Sequence, residues 1–166
     1  MSDDPIMTEI QAAITTLQGG ARAEARQAFV DIWDKIERDP RPLHECTLAH
    51  FMADAQDNLQ DELAWDQRAL AAALRCTDAE AKGHHDSLSI AAFMPSLHLN
   101  LGDDYLRLGD RAACQRHLAA GMAATADLPD TPYASMIRGG LDRLADFLLQ
   151  RHRCQHPGNR RFGGSI

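Results

Sequence analysis

Apolar residues recur three or four positions apart along most of this chain, and alternating runs rich in Val, Ile and Thr are missing. The first and last of the apolar stripes are Ile6, Ile10, Ile14 and Leu17, and Ile137, Leu141, Leu144 and Leu148. Such spacing places each set on one face of an α-helix. The pattern therefore predicts an all-α protein without a sheet.

Glycine, proline and capping residues divide the pattern into about seven helices. Gly19-Gly20 and Gly109-Asp110 are turn signals, Pro40 and Pro42 stop a helix, and Thr131 precedes Pro132 as a helix start. Pro95 either kinks the fifth helix or begins a new one. The predicted helices cover residues 5–18, 22–38, 43–57, 61–75, 88–108, 111–126 and 132–151. Residues 77–87 are predicted to form an irregular loop, and residues 154–166 a flexible basic tail.

One stretch carries a family signature. Leu101-Gly102-Asp103-Asp104-Tyr105, followed by Gly109, Ala113 and Leu118, resembles the tetratricopeptide repeat, a helix hairpin of about 34 residues. A first hairpin matches mainly at Ala13, Gly20, Ala25 and Phe29, and a second is degenerate. The resemblance implies a right-handed superhelical stack of antiparallel hairpins. The alternative from the residues alone is a generic helical bundle.

The resemblance also gives a domain organisation. It implies one helical-repeat domain over residues 1–153, with hairpins over 5–38, 43–75 and 88–126. The amphipathic helix over 132–151 would cap the stack, and residues 154–166 would follow it as the tail.

In this family the first helix of each hairpin lines the concave binding face. The resemblance implies a partner-binding face made of His50, Asp54, Asp57, Leu99, Asp103, Leu106 and Arg107. The equivalents in the first hairpin are Ile10, Ile14 and Leu17, which either line the groove or form core beneath the second helix. Such a groove is apolar at one end and acidic at the other. It suits a protein or peptide segment with apolar and basic residues.

Charge narrows the choice of partners. The total is −7, and the four arginines after Asp146 are accompanied by no acidic residue, so residues 1–146 carry −11. An acidic body repels phosphates, which argues against nucleic acid as a partner. The bland alternative is that the acidic residues keep an alanine-rich helical protein soluble. Self-association stays open.

The cellular compartment is predicted from sequence features that are missing. The four cysteines form no Cys-x-x-Cys pair, the N-terminus shows no secretory pattern, and no apolar run is long enough to span a bilayer. These observations predict a cytoplasmic protein that does not enter a membrane.

Two other classes of function are alternatives to a binding scaffold. A sensor of small molecules or signal peptides, acting on a separate effector, would use a pocket near His85, Phe93 and His98. An enzyme or metalloprotein is the third, but phosphate-binding loops, nucleophile elbows and metal-ligand spacings are missing. We therefore expect no catalytic residue, no cofactor and no metal site.

Overall fold

The computed structural model describes residues 4–75, 90–126 and 128–154. Within these residues the chain forms seven α-helices and no strand, which confirms the all-α prediction. The helices are α1 (Pro5–Gln18), α2 (Arg22–Ile36), α3 (Pro42–Asp54), α4 (Leu59–Arg75), α5 (Ile90–Leu108), α6 (Arg111–Ala124) and α7 (Pro132–Cys154). The predicted loop over 77–87 and the tail after residue 154 lie outside the described residues.

Local chemistry fixes the helix ends. Asp4 accepts a hydrogen bond from the Met7 amide at 3.0 Å and caps α1. Thr131 caps α7 by accepting from the Ala134 amide at 3.1 Å, as predicted. Gly20 and Gly109 adopt φ values of 89° and 84° in the turns that follow α1 and α5. Only glycine adopts this left-handed conformation without strain.

Several helix ends differ from the prediction: α2 ends at Ile36 rather than at residue 38, α6 ends at Ala124 rather than at 126, and α7 extends to Cys154, where the tail was predicted to begin. The helix predicted over 43–57 ends at Asp54, because Arg22 and Arg26 of α2 donate to the carbonyls of Gln56 and Ala55 beyond it. Asn58, rather than Asp61, then caps α4 by accepting from the Asp61 amide. At Pro95 the fifth helix neither ends nor restarts, since α5 runs through it.

Consecutive helices pack as antiparallel neighbours. The contacts Glu9–Lys35, Glu45–Arg75 and Glu62–Arg107 each join the first half of one helix to the last turn of the next. Alternate helices lie parallel where they meet: Asp4 at the start of α1 contacts His44 at the start of α3. In the same way, α7 lies parallel to α5, with Tyr133 donating to the Ala92 carbonyl.

The apolar side chains form two clusters. The larger one is shared by α1 to α4 and includes Phe29, Leu48 and, from α5, Leu97. The smaller one joins α5, α6 and α7 through Cys114, Leu144 and Leu148. Helix α5 therefore contributes to both clusters. Ile10 and Ile14 are buried in the larger one, so the alternative that they are core residues holds.

Candidate binding site

A cleft of about 360 Å³ opens between the end of α3, the start of α4 and the neighbouring helices α5 and α7. Its walls combine carboxylates, one amide, one guanidinium and apolar side chains. The lining residues are Asp54, Glu62, Leu99, Asn100, Asp103, Gly140, Arg143, Leu144 and Phe147. The volume lies in the lower part of the range that small ligands and side-chain anchors occupy.

The close approach of α5 and α7 sets one side of the cleft. A Cβ atom at Gly140 would lie 2.5 Å from Leu99 Cδ2, and one at Gly102 would lie 2.6 Å from Leu144 Cδ2. Only a residue without a side chain permits these distances. The two glycines therefore bring Asp103 of α5 and Arg143 of α7 to the same cleft.

Arg107 pairs with two of the three carboxylates that line the cleft and with Asp104 beside them. Its Nη2 atom lies 2.5 Å from Glu62 Oε1 and 2.6 Å from Asp104 Oδ1, and its Nε atom lies 2.8 Å from Asp103 Oδ2. The hydrogen bond with Glu62 is the largest of the interactions that raise the pKa of Arg107. One fixed cation thus ties α4 to α5 and orients two of the carboxylates that line the cleft.

Beneath the cleft lies a buried pair of carboxyl groups, Asp66 of α4 and Asp104 of α5. Both side chains are 1% exposed. Burial, above all, raises the pKa of Asp104 to about 8, and the neighbouring carboxylates and a hydrogen bond with Asp66 act in the same direction. That hydrogen bond needs a proton on one of the two groups. Asn100 donates to Asp66 Oδ1 at 3.3 Å, whereas Asp104 Oδ2 has no further partner among the described residues.

His50 completes this buried group from α3. Its Nδ1 atom lies 3.8 Å from Asp66 Oδ1, which is too long for a hydrogen bond, and it has no hydrogen-bond partner in the described part of the chain. The polar groups of three helices thus meet under the cleft. Two of their buried polar atoms, His50 Nδ1 and Asp104 Oδ2, lack a hydrogen-bond partner within the described residues, so the network is only partly satisfied.

Two charged side chains of the cleft have no ion partner among the described residues. Asp54, at the end of α3, forms none of the ion pairs or hydrogen bonds found in those residues, and the same holds for Arg143 on α7. The cleft walls desolvate the Asp54 carboxyl enough to raise its pKa, although the residue still faces solvent. Asp66 and Glu62 raise that pKa further, while His50 and Arg22 lower it.

The apolar part of the site comes from α5 and α7. Leu99 and Leu144 are partly or fully buried beside the cleft, and Phe147 at its rim is 57% exposed. Met136, three turns earlier on the same edge of α7, is 59% exposed. Large apolar side chains left in solvent next to a charged cleft are typical of a binding surface.

The sequence-predicted binding residues are only partly brought together. Asp54, Leu99 and Asp103 line the cleft, and Arg107 holds its carboxylates from the side. His50 lies below it. Leu106 packs against the smaller apolar cluster. Asp57 lies in the turn after α3 and pairs with Arg26 at 2.5 Å.

The residues predicted for a sensor pocket lie elsewhere. Phe93 is 9% exposed and belongs to the larger core. His98 Nδ1 lies 3.0 Å from His117 Nδ1 between α5 and α6, and burial lowers the pKa of both imidazoles. His85 lies outside the described residues.

Sequence reasoning missed the contribution of α7. The sequence pattern predicts only a capping helix for the segment that contains Gly140, Arg143, Leu144 and Phe147, and it does not single out Glu62. The signal was present, because positions 140, 143, 144 and 147 repeat the spacing that suggested binding residues on the third and fifth helices. Phe147 and Arg143 on that stripe both line the cleft.

Comparison with protein-family models, curated proteins and solved structures finds no match for this chain. The described ranges contain no group of three or more His, Cys, Asp or Glu side chains arranged to hold a metal ion. Among the described helices none has both the length and the apolarity needed to cross a bilayer.

Proposed function

We propose that this chain is a binding module that holds a protein or peptide segment in the cleft between α3, α5 and α7. The observation that carries the proposal is the composition of the cleft: carboxylates on one side and exposed apolar side chains on the other. A basic and apolar segment offers complementary groups to both sides. The cleft needs little reorganisation, because Arg107 already fixes Glu62 and Asp103.

Within this proposal, the chain is a tetratricopeptide-like stack whose first helices line the binding face. Support comes from the helix order, the antiparallel neighbours and the parallel alternate helices. The cleft draws residues from α3, α5 and α7, which are the first helix of the second and third hairpins and the capping helix. We also propose a cytoplasmic location, in keeping with the free, buried thiol of Cys114.

Selection from a displayed library of random 12-residue peptides tests the function without a known partner. We expect enrichment of peptides with Lys or Arg next to Leu, Ile or Phe. Their affinity should fall with added salt, because the ion pairs are accessible to solvent. Absence of any enriched pattern, or enrichment of acidic peptides, would overturn the proposal.

A charge reversal locates the binding surface. Asp54→Lys should abolish binding of the selected peptides, since Asp54 faces the cleft and supports no ion pair of the fold. Asp142→Lys is the matched control, because Asp142 is exposed on the side of α7 that faces away from the cleft. Equal binding by both variants would place the contact surface elsewhere.

A small-molecule sensor remains a second candidate, favoured by the cleft volume of about 360 Å³. Calorimetric titration with a diamine such as putrescine tests it. Saturable binding that Asp54→Lys removes, with no peptide enriched in the selection, would favour the sensor over the peptide-binding module.

A further inference from the structure

The charged side chains of the cleft that have no ion partner restrict the chemistry of the ligand it would bind. Arg107 engages Glu62, Asp103 and Asp104, so each of these three groups already has an ion partner. Asp54 and Arg143 are the cleft-lining charges for which the described residues supply no ion partner. They belong to different helices, α3 and α7.

Asp54 and Arg143 do not neutralise each other. No ion pair within 4.0 Å joins them, so the cleft separates the two charges. Arg143 instead folds back along its own helix, where its Nη1 atom would lie 3.5 Å from a Cβ atom at Gly139. Asp54 of α3 and Arg143 of α7 thus line the cleft from different helices, and the exposed Arg143 side chain can turn from Gly139 toward a ligand.

The surface around Arg143 is apolar. Leu144 is its neighbour in sequence, Gly140 and Phe147 lie one turn away on the same edge of α7, and Leu99 packs onto Gly140. A guanidinium in such surroundings loses part of its hydration when the cleft is filled. It then gains from an anionic partner and is penalised without one.

We propose that the segment bound in this cleft is zwitterionic, with a cationic side chain that pairs with Asp54, a carboxylate that pairs with Arg143, and an apolar side chain against Leu99 and Phe147. This inference rests on the proposed function. It narrows the expected partner, a segment with basic and apolar residues, to one that also carries a carboxylate. The carboxylate is an acidic side chain or a chain terminus, and both present the same two oxygens to a guanidinium.

Fluorescence anisotropy with labelled, amidated peptides tests the charge pattern. The parent series carries Lys, then Leu and Phe, then Glu, with one to three residues between the two charges. A second series replaces Glu with Gln, and a third replaces Lys with Gln. A fourth carries Gln and a free C-terminal carboxylate, which distinguishes an acidic side chain from a terminus.

We expect that removing the peptide carboxylate and removing the Arg143 guanidinium weaken binding non-additively, because the two groups pair with each other. Replacing Glu with Gln should weaken binding by about fivefold, the upper end for an accessible ion pair. Arg143→Gln should weaken the parent peptide by the same factor and leave the Gln peptide unchanged. Arg116→Gln, which removes an exposed cation of α6 away from the cleft, is the matched control.

The outcomes separate the two proposals. If the Gln peptide binds as tightly as the parent peptide while Asp54→Asn still abolishes binding, the zwitterionic ligand is wrong and the basic-peptide module stands. If Arg143→Gln weakens both peptides equally, Arg143 does not pair with the carboxylate. If none of the peptides binds, the proposed function itself fails.

Discussion

Replacement of Asp104 by Asn should make the protein more stable than the wild type, by a margin that grows as the pH rises. Asp104 is buried, its pKa is raised to about 8, and the unfolded chain has the ordinary value of 3.8. Between these values the folded protein keeps a proton that the unfolded chain releases. A raised carboxyl pKa therefore stabilises the fold below about pH 4, and that contribution is lost as the pH rises to about 8.

The magnitude follows from one proton. Unfolding releases that proton, so the free energy of unfolding falls by at most about 1.4 kcal/mol per pH unit over this range. From pH 6 to pH 8 the loss due to Asp104 is about 2–3 kcal/mol. Asparagine keeps the neutral form, because its amide can donate to Asp66 and accept from Arg107 as the protonated acid does.

Urea unfolding followed by circular dichroism at pH 6, 7, 8 and 9 measures the effect. The difference in unfolding free energy between Asp104→Asn and the wild type should increase in favour of the variant up to pH 8 and then level off. Asp103→Asn is the control, since Asp103 is exposed and its ion pair with Arg107 contributes only about 0.3–0.5 kcal/mol. Parallel curves for Asp104→Asn and the wild type would refute the shared buried proton.

Two further predictions concern α5 and its neighbours. His98 and His117 have lowered pKa values, so their protonation opposes folding. The stability that the pair contributes near neutral pH should be lost as the pH falls below about 6.5. In His117→Gln the thermal-melting midpoint should therefore fall less between pH 7 and pH 5 than it does in the wild type. A steeper acid loss in the variant would contradict this. Gly102→Val should destabilise the fold by about 1–3 kcal/mol in chemical denaturation, because the first added atom already meets Leu144 at 2.6 Å. An unchanged midpoint would show that α7 can shift freely.

Much of the fold could be predicted from local signals. The helix starts at Pro5, Arg22, Arg111 and Pro132 coincide with the prediction, because each follows a turn or capping residue that the sequence displays. The end of α3 could not be predicted. It depends on arginines of α2 that bond to carbonyls about 30 residues further along the chain.

The site was predictable in part for the same reason. Helical spacing found Asp54, Leu99 and Asp103, which share a cleft. It placed Asp57 and Leu106 beside them only because it could not show that Asp57 has partners in α2 or that Leu106 packs inward. The wall supplied by α7 depends on two glycine contacts between distant segments, and no local pattern reports those.

The division of the apolar side chains into two clusters has a consequence for regulation. Phe147 and Arg143 belong to α7, which in the described part of the chain packs mainly on α5 and α6, through the smaller cluster. Fluctuations that detach this helix need less free energy than global unfolding. Detachment would remove the α7 wall of the cleft, so the affinity of the proposed binding site is coupled to how often α7 detaches.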